Sequence, residues 1–211
     1  MKISPTHDKG ANLLLVSAVE NCDTDSWPLV PQLLFRHYRS TLDLELGAIA
    51  AAILFARHCG SVAEFDGARI SIDAARAIRG ILPEVEELLP INGMKRDISQ
   101  GVATLIVGEA GRMFDGGGNT GRIGRSARAV TWSGDFVTPT GRNSTECVGG
   151  DIFTNATLVA ASTEISVALA LLVGGRGIRD IYVPRPAGSE REDFQRIAAG
   201  LEFIGIKLRT L

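Results

Sequence analysis

The chain has 211 residues, of which 45% are hydrophobic, and a formal net charge of −2. This length and composition allow one large domain with a buried core. The small negative charge excludes an overall attraction to nucleic acid or to anionic membranes. The three cysteines, Cys22, Cys59 and Cys147, are too widely spaced for a disulfide framework or a zinc site. We therefore predict a cytoplasmic protein with reduced thiols, and we expect neither a membrane nor a nucleic-acid partner.

The N-terminal part of the chain predicts a tail, a strand and a helix. Residues 1–10 are polar and are expected to form a tail without a targeting segment. Residues 12–19 are an apolar run between polar segments, which is typical of a buried central strand. Residues 28–39 are predicted to form a helix, because Pro28 and Pro31 would fall in or before its first turn, where a missing N–H costs little.

Helices and short strands then alternate up to residue 108. The signals are capping residues before apolar runs, and prolines or glycines after them. The predicted elements are a helix over 41–58 with Ser40 and Asp43 at its start and Gly60 at its end, a weak strand at 62–67, a helix over 72–82 capped by Ser71, an edge strand at 85–91 and a clear strand at 102–108.

The C-terminal part is dominated by a long helix predicted over residues 152–173. Its second half leaves almost no polar face, and a helix that is hydrophobic all round must be buried. The polar residues of its first half argue against a membrane span. We also predict a hairpin near 127–139 that turns at Ser133 and Gly134. The remaining predicted elements are a strand at 179–184, a helix on 189–204 and a final strand at 206–211.

This alternation predicts an α/β fold. We expect a single domain over residues 1–211, with a mostly parallel or mixed sheet, helices on both faces and one antiparallel hairpin near 127–139. No internal repeat is evident in the sequence. Ligands of such folds bind where strand-to-helix loops gather, and three segments fit that description.

The first segment is the polar loop of residues 20–26, directly after the strand predicted at 12–19. Asp23 and Asp25 are candidate catalytic residues, because paired carboxylates can supply a nucleophile with a neighbouring acid, or can bind a divalent cation. The alternative is that Asp23, Asp25 or Ser26 simply caps the helix predicted at 28–39. No metal site is predicted.

The second segment is the glycine-rich stretch of residues 111–126. Arg122 and Arg125 are candidate anion-binding residues, because arginine binds phosphate or carboxylate through a planar fork and glycines let backbone N–H groups turn toward an anion. The order of the glycines matches no phosphate-loop motif. A solvated loop, or a loop that docks a protein partner, is the alternative.

The third segment, residues 143–155, precedes the predicted inner helix. Free N–H groups and the positive end of a helix dipole would stabilise an anion or a thiolate there. We predict Cys147 and Asp151 as catalytic residues, and Gly149, Gly150, Thr154 and Asn155 as anion-binding residues. The alternative is an ordinary N-cap at Asp151 or Thr154 with a buried, inert Cys147.

Two functions remain open on the sequence alone. The first is an enzyme acting on a small anionic substrate, such as a nucleotide, a phosphorylated metabolite or a carboxylate, with the three loops meeting at one end of the sheet. A hydrolase or transferase is favoured, and no cofactor is assigned. The second is a non-catalytic ligand-binding or assembly subunit, in which the glycine-rich loop docks a partner protein or a second copy of the chain.

Overall fold

The computed structural model describes residues 1–94, 101–109, 128–134 and 152–211. The described residues contain ten strands and four α-helices. The strands are β1 (Lys2–Asp8), β2 (Leu13–Val19), β3 (Gln32–Arg36), β4 (Val62–Phe65), β5 (Glu87–Leu89), β6 (Ala103–Glu109), β7 (Arg128–Ser133), β8 (Ile152–Thr154), β9 (Ile178–Val183) and β10 (Lys207–Thr210). The helices are α1 (Leu44–Leu54), α2 (Ile72–Ile81), α3 (Ser162–Gly174) and α4 (Arg191–Glu202).

All ten strands belong to one sheet, in the order β10-β9-β6-β7-β8-β3-β2-β1-β4-β5. Neighbouring strands are parallel except at β1–β2, β2–β3 and β3–β8, which pair antiparallel. The predicted α/β fold with a mostly parallel, mixed sheet is therefore confirmed. The second arm of the hairpin predicted near 127–139 lies outside the described residues, and β7 pairs in parallel with both β6 and β8.

Several elements lie where the sequence predicts them. The apolar run at 12–19 forms the interior strand β2, and the weak signal at 62–67 forms β4. The Ser71 hydroxyl accepts a hydrogen bond from the N–H of Ala74 at 3.3 Å, so this residue caps α2 as expected. Strand β5 lies at the end of the described sheet, as the proline that follows it predicts.

Two segments form strands where the sequence predicts a tail and a helix. Residues 1–10 are not a tail, because β1 pairs with β2 along its whole length and buries Ile3 completely. Residues 28–39 are not a helix, because β3 pairs with β2 there. In β3, Leu33 and Phe35 are buried while the residues on either side of each are exposed or half-buried. That period of two is the pattern of a strand with one face on the core.

Two buried helices, α1 and α3, lie side by side at the centre of the molecule. The predicted inner helix is confirmed as α3, in which residues 163–172 are all buried. It begins at Ser162 rather than at 152, because β8 and a 3₁₀ turn at Ala156–Leu158 precede it. Helix α1 is equally buried from Glu45 to Leu54, and its cap is Asp43 rather than Ser40. The sequence predicts only one such helix.

The described strands and helices form two halves that repeat one arrangement, although no repeat is evident in the sequence. The first half has the strand order β3-β2-β1-β4-β5, and the second has the same order, β8-β7-β6-β9-β10. In each half a helix precedes the fourth strand and another precedes the fifth. The third strands of the halves, β3 and β8, pair antiparallel, as a twofold axis perpendicular to the sheet requires. The two halves differ in strand direction only at their second strands, because β2 runs antiparallel to both of its neighbours whereas β7 runs parallel to both.

Equivalent helices of the two halves pack against each other, α1 on α3 and α2 on α4. Helices α2 and α4 meet at equivalent glycines. A β-carbon on Gly80 would lie 3.2 Å from the Cα atom of Gly200, and one on Gly200 would lie 2.9 Å from the carbonyl oxygen of Ala77. The two backbones therefore approach closely because neither residue has a side chain.

A reciprocal pair of ionic contacts joins the inner helices. Glu45 and Glu164 are buried in the first turns of α1 and α3. Glu45 lies 3.8 Å from Arg176, which follows α3, and Glu164 lies 3.6 Å from Arg57, which follows α1. Each helix thus places its buried carboxylate beside the arginine that follows the other helix, as the approximate twofold relation requires.

Candidate functional site

The structure gives Asp25 several structural contacts. Its side chain is fully shielded from solvent, and its carboxylate accepts hydrogen bonds from the N–H groups of Asn21 at 3.0 Å and Gly60 at 2.8 Å. The amino group of Met1 lies 2.7 Å away. Burial raises the pKa of Asp25, but the Asn21 N–H, the Met1 amino group, the Gly60 N–H and the Cys22 thiol together lower it to about 2. These contacts fix the 20–26 loop to the segment after α1, and they favour a structural role.

The other described candidates do not gather around one point. Asp23 is exposed in the same loop. The Thr154 hydroxyl, which is fully buried, accepts a hydrogen bond from the N–H of Ala156. The Asn155 side chain bonds to the backbone of β3, accepting from the N–H of Leu34 and donating to the carbonyl of Gln32. Among the described residues, no hydrogen bond or ion pair joins the two aspartates to Thr154 or Asn155.

The remaining candidates, Cys147, Asp151, Gly149, Gly150, Arg122 and Arg125, lie outside the described residues. One premise behind some of them is nevertheless wrong. Gly149 and Gly150 do not open the inner helix, because β8 and the 3₁₀ turn separate them from its first residue, Ser162. Their predicted anion binding therefore loses the support of that helix dipole.

A cavity brings several polar residues together at the opposite end of α1 from the 20–26 loop. It has a volume of about 570 Å³ and lies where α1 begins and α3 ends. We call it the Arg39–Arg176 pocket. Its lining residues are Arg39, Ser40, Thr41, Leu42 and Asp43 from the β3–α1 connection, and Val173, Gly174, Gly175 and Arg176 from the end of α3.

Local sequence features build this pocket. Tyr38 is buried and donates its hydroxyl to the carbonyl of Leu172 at 2.8 Å, which ties the β3–α1 connection to the end of α3. Burial, with a smaller contribution from Asp43, raises the pKa of Tyr38 to about 12, so it remains a neutral donor. Gly175 ends α3 with a φ of 56°, in the left-handed region that favours glycine. That turn directs the chain to Arg176.

Asp43 orients Arg176 within the pocket. One Asp43 oxygen caps α1 by accepting from the N–H groups of Glu45 and Leu46, and the other accepts from Nε of Arg176 at 2.6 Å. This hydrogen bond and the charge of Asp43 raise the pKa of Arg176. The guanidinium is held by carboxylates, while 46% of the side chain stays exposed.

Arg39 is the other cation of the pocket. It is exposed and forms no ion pair among the described residues. The hydroxyls of Ser40 and Thr41 follow it directly in the lining. A free guanidinium with two adjacent hydroxyls can bind a carboxylate or a phosphate group through several hydrogen bonds. The described lining residues can therefore bind and orient an anion.

The described residues show neither a metal site nor a membrane span. No group of three or more His, Cys, Asp or Glu side chains among them could hold a metal ion. No helix in the described part of the chain is long and apolar enough to cross a bilayer. No protein-family model, curated protein or solved structure matches the chain. The interpretation of function therefore rests on the geometry alone.

Sequence reasoning missed the pocket because its residues lie far apart in the chain. Arg39 lies in a segment predicted to be helical, and Arg176 follows a helix predicted from its apolar residues alone. The signal that could have found them is the placement of Asp43 and Gly175. An acidic N-cap and a helix-ending glycine mark two helix termini that an antiparallel helix pair brings together.

Proposed function

We propose that the protein is a cytosolic enzyme that acts on a small anionic substrate, a nucleotide, a phosphorylated metabolite or a carboxylate, bound in the Arg39–Arg176 pocket. The observation that carries this proposal is Arg39, which is exposed and forms no ion pair among the described residues, next to Ser40 and Thr41 in the lining of a cavity of about 570 Å³. Cavities of roughly 300–1,000 Å³ are typical of small-molecule sites. The proposed reaction is hydrolysis or group transfer.

Binding and chemistry are assigned to different residues. In the proposed complex Arg39, Ser40 and Thr41 hold the anionic group, and Asp43 keeps Arg176 in place beside it. Paired with α1 and with Arg176, the Asp43 carboxylate is not a free base. Cys147 and Asp151 remain the proposed catalytic residues, and Arg122 and Arg125 remain proposed additional anion ligands. All four lie outside the described residues.

A thermal-shift panel tests the binding proposal. Inorganic phosphate, nucleotides, sugar phosphates and di- and tricarboxylates are added separately, because a ligand selective for the folded state raises the melting temperature. We expect one class to raise it, and Arg39→Gln to weaken the affinity about tenfold or more, the range for a lost charge-assisted hydrogen bond. Arg79→Gln, which removes another exposed arginine outside the pocket, is the matched control.

Two results would count against the binding proposal. One is a panel in which no anion raises the melting temperature. The other is an equal loss of affinity in the Arg39→Gln and Arg79→Gln variants. Product analysis by ³¹P or ¹H NMR then tests catalysis with the same ligand, and binding without turnover would favour the alternative function.

That alternative, a non-catalytic binding or assembly subunit, has one observation in its favour. Trp27 is 56% exposed and Leu29 is 78% exposed, close together between β2 and β3. Exposed large apolar side chains that lie close together mark protein contacts more often than isolated ones do. Sedimentation velocity of the wild type and of Trp27→Ala tests this function, since a protein contact through this segment predicts a fall in oligomer mass on substitution.

A further inference from the structure

The loop of residues 20–26 carries a second arrangement of reactive groups, away from the Arg39–Arg176 pocket. Ser26 Oγ lies 3.1 Å from Nδ1 of His58, within hydrogen-bond distance, and 3.4 Å from the carbonyl oxygen of Arg57. The two residues lie at the C-terminal end of α1, whereas the pocket lies at its N-terminal end. The 11 residues of α1 separate the two places by roughly 16 Å.

Backbone contacts hold this arrangement in place. The N–H of Ser26 donates to the carbonyl of His58 at 2.9 Å, directly beside the side-chain contact. The Asp25 carboxylate accepts from the N–H of Gly60, and the Thr24 hydroxyl accepts from the N–H of Ser61 at 2.9 Å. The loop and the segment after α1 are thus joined at three successive residues. The Ser26–His58 contact is fixed by the fold rather than by two free side chains.

The protonation state suits proton transfer. Burial, and to a smaller extent the charge of Arg57, lower the pKa of His58 below its ordinary value. At neutral pH the ring is therefore mostly neutral and can accept a proton. Ser26 is exposed, so a substrate can approach its hydroxyl. A hydroxyl within hydrogen-bond reach of a neutral imidazole is the minimal arrangement for nucleophilic catalysis by serine.

We propose that Ser26 and His58 form a second reactive site, a serine nucleophile with its general base, which takes small uncharged acyl esters. The substrate class follows from the surrounding charges. Asp23 is exposed on the same loop, and Arg57 is engaged by Glu164 and Asp193. No free cation is present in the described surroundings to attract a carboxylate or phosphate ester.

The proposed reaction is an ester hydrolysis in which water is the only co-reactant. Ser26 Oγ forms a bond to the acyl carbon while its proton passes to Nδ1 of His58. The bond between the acyl carbon and the leaving oxygen breaks, and His58 returns the proton to that oxygen. A water molecule, deprotonated by His58, then cleaves the acyl-serine ester and restores the free hydroxyl. This site acts independently of the Arg39–Arg176 pocket, so either proposal can fail without the other.

The test is hydrolysis of p-nitrophenyl acetate by the full chain, together with labelling by a fluorophosphonate and mapping of the labelled peptide. We expect the label on Ser26, and a fall in hydrolysis of at least about tenfold in Ser26→Ala and in His58→Gln, the lower range for loss of a nucleophile or general base. The rate should rise with pH through an inflection below the ordinary histidine value of about 6.5. Ser17→Ala, which removes another serine of the same half, should match the wild type.

Ser26→Cys provides a second test that remains valid if the alanine variant does not fold. It keeps a nucleophile beside His58, so its hydrolysis should become sensitive to iodoacetamide. The proposal is overturned if the label falls on another residue, or if a folded Ser26→Ala keeps the wild-type rate. It is also overturned if the Ser17→Ala and Ser26→Ala rates fall equally.

Discussion

Two buried, ion-paired carboxylates, those of Asp25 and Glu164, have pKa values that shift in opposite directions because their local partners differ. Asp25 accepts two backbone N–H groups, and its pKa is lowered to about 2. Glu164 accepts only the N–H of Ala161 at 2.7 Å, and its Oε1 atom forms no hydrogen bond among the described residues. Burial therefore dominates and raises the pKa of Glu164, although Ala161 and Arg57 oppose the shift. The balance between burial and the hydrogen-bonding and charged partners therefore decides the direction of each pKa shift.

This difference predicts how Glu164→Gln changes stability with pH. A carboxyl whose folded pKa is raised contributes stability that is fully present below its unfolded pKa and is lost as pH rises through its folded pKa. The glutamine has no such dependence. The free energy of unfolding of Glu164→Gln, relative to the wild type, should therefore increase from acid pH to neutral pH. Urea denaturation across that range measures it.

Glu192→Gln, at an exposed position of α4, is the matched control and should show no comparable trend. A relative stability of Glu164→Gln that falls as pH rises would contradict this account. It would mean that the contact with Arg57, rather than burial, decides the ionisation of Glu164.

The cysteines give a second test at the residue scale. The Thr24 hydroxyl, 3.2 Å from Sγ of Cys22, lowers the pKa of that thiol, whereas burial raises the pKa of Cys59 to about 11. Because the thiolate is the reactive form, iodoacetamide should alkylate Cys22 well before Cys59 in native protein near pH 8. Peptide mass spectrometry measures both rates. Equal rates in native protein would show that the two thiols do not differ as described.

Glycines allow the helices α2 and α4 to pack at a short interhelical distance. A β-carbon on Gly200 would lie 2.9 Å from the carbonyl of Ala77 and 2.8 Å from the side chain of Ile81. We expect Gly200→Ala to destabilise the protein by about 1–3 kcal/mol, the range for overpacking, despite the better helix propensity of alanine. Gly188→Ala, which meets no atom within 4 Å, is the control for denaturant melts. Equal stability of the two variants would show that α2 and α4 are not as closely packed at Gly200 as described.

The buried centre of α3 supplies a further test. Leu169 and Leu171 are fully buried. Truncating either to alanine should cost about 2–5 kcal/mol, the range for large aliphatic side chains in a packed core. A loss below about 1 kcal/mol at both positions in denaturant melts would mean that α3 does not lie at the centre of the core.

Elements with strong local signals could be predicted from the sequence, and those that depend on pairing could not. Ser71 marks the start of α2, and the β-branched run near 105 marks β6. The prediction of a helix over residues 28–39 is wrong because the apolar run Leu33-Leu34-Phe35 suits a helix as well as a strand. Its pairing with β2 decides the outcome. Met1 and Ile3 enter the core for the same reason, although the segment around them is polar.

In the molecule as a whole, the repeat of the two halves could not be predicted from the sequence because the halves share few residue identities. The shared positions are informative only once the fold is known. Asp73, Arg76 and Gly80 in α2 recur with the same spacing as Asp193, Arg196 and Gly200 in α4. Glu45 and Arg57 likewise recur as Glu164 and Arg176. These residues make helix-crossing and ion-pair contacts, whereas most of the core positions between them differ in identity, with Ala51 and Ala170 as an exception.

The repeat also explains where the Arg39–Arg176 pocket lies. An antiparallel pair of equivalent helices places the start of α1 beside the end of α3, and the start of α3 beside the end of α1. The Arg39–Arg176 pocket lies at the first of these junctions, and Ser26 and His58 lie near the second. Of the residues predicted from sequence to form the site, Asp23 and Asp25 lie in the same loop as Ser26, and Asp25 binds the segment after α1 through Gly60.

Chemical-shift mapping by NMR on isotopically labelled protein tests directly whether an anion binds in the Arg39–Arg176 pocket. The protein is titrated with the anion that raises its melting temperature most. Binding in the Arg39–Arg176 pocket predicts that the largest backbone amide changes fall in residues 39–43 and 173–176, and that they become smaller in Arg39→Gln at the same anion concentration. Changes confined to other residues, such as 20–26 and 57–61, would contradict it.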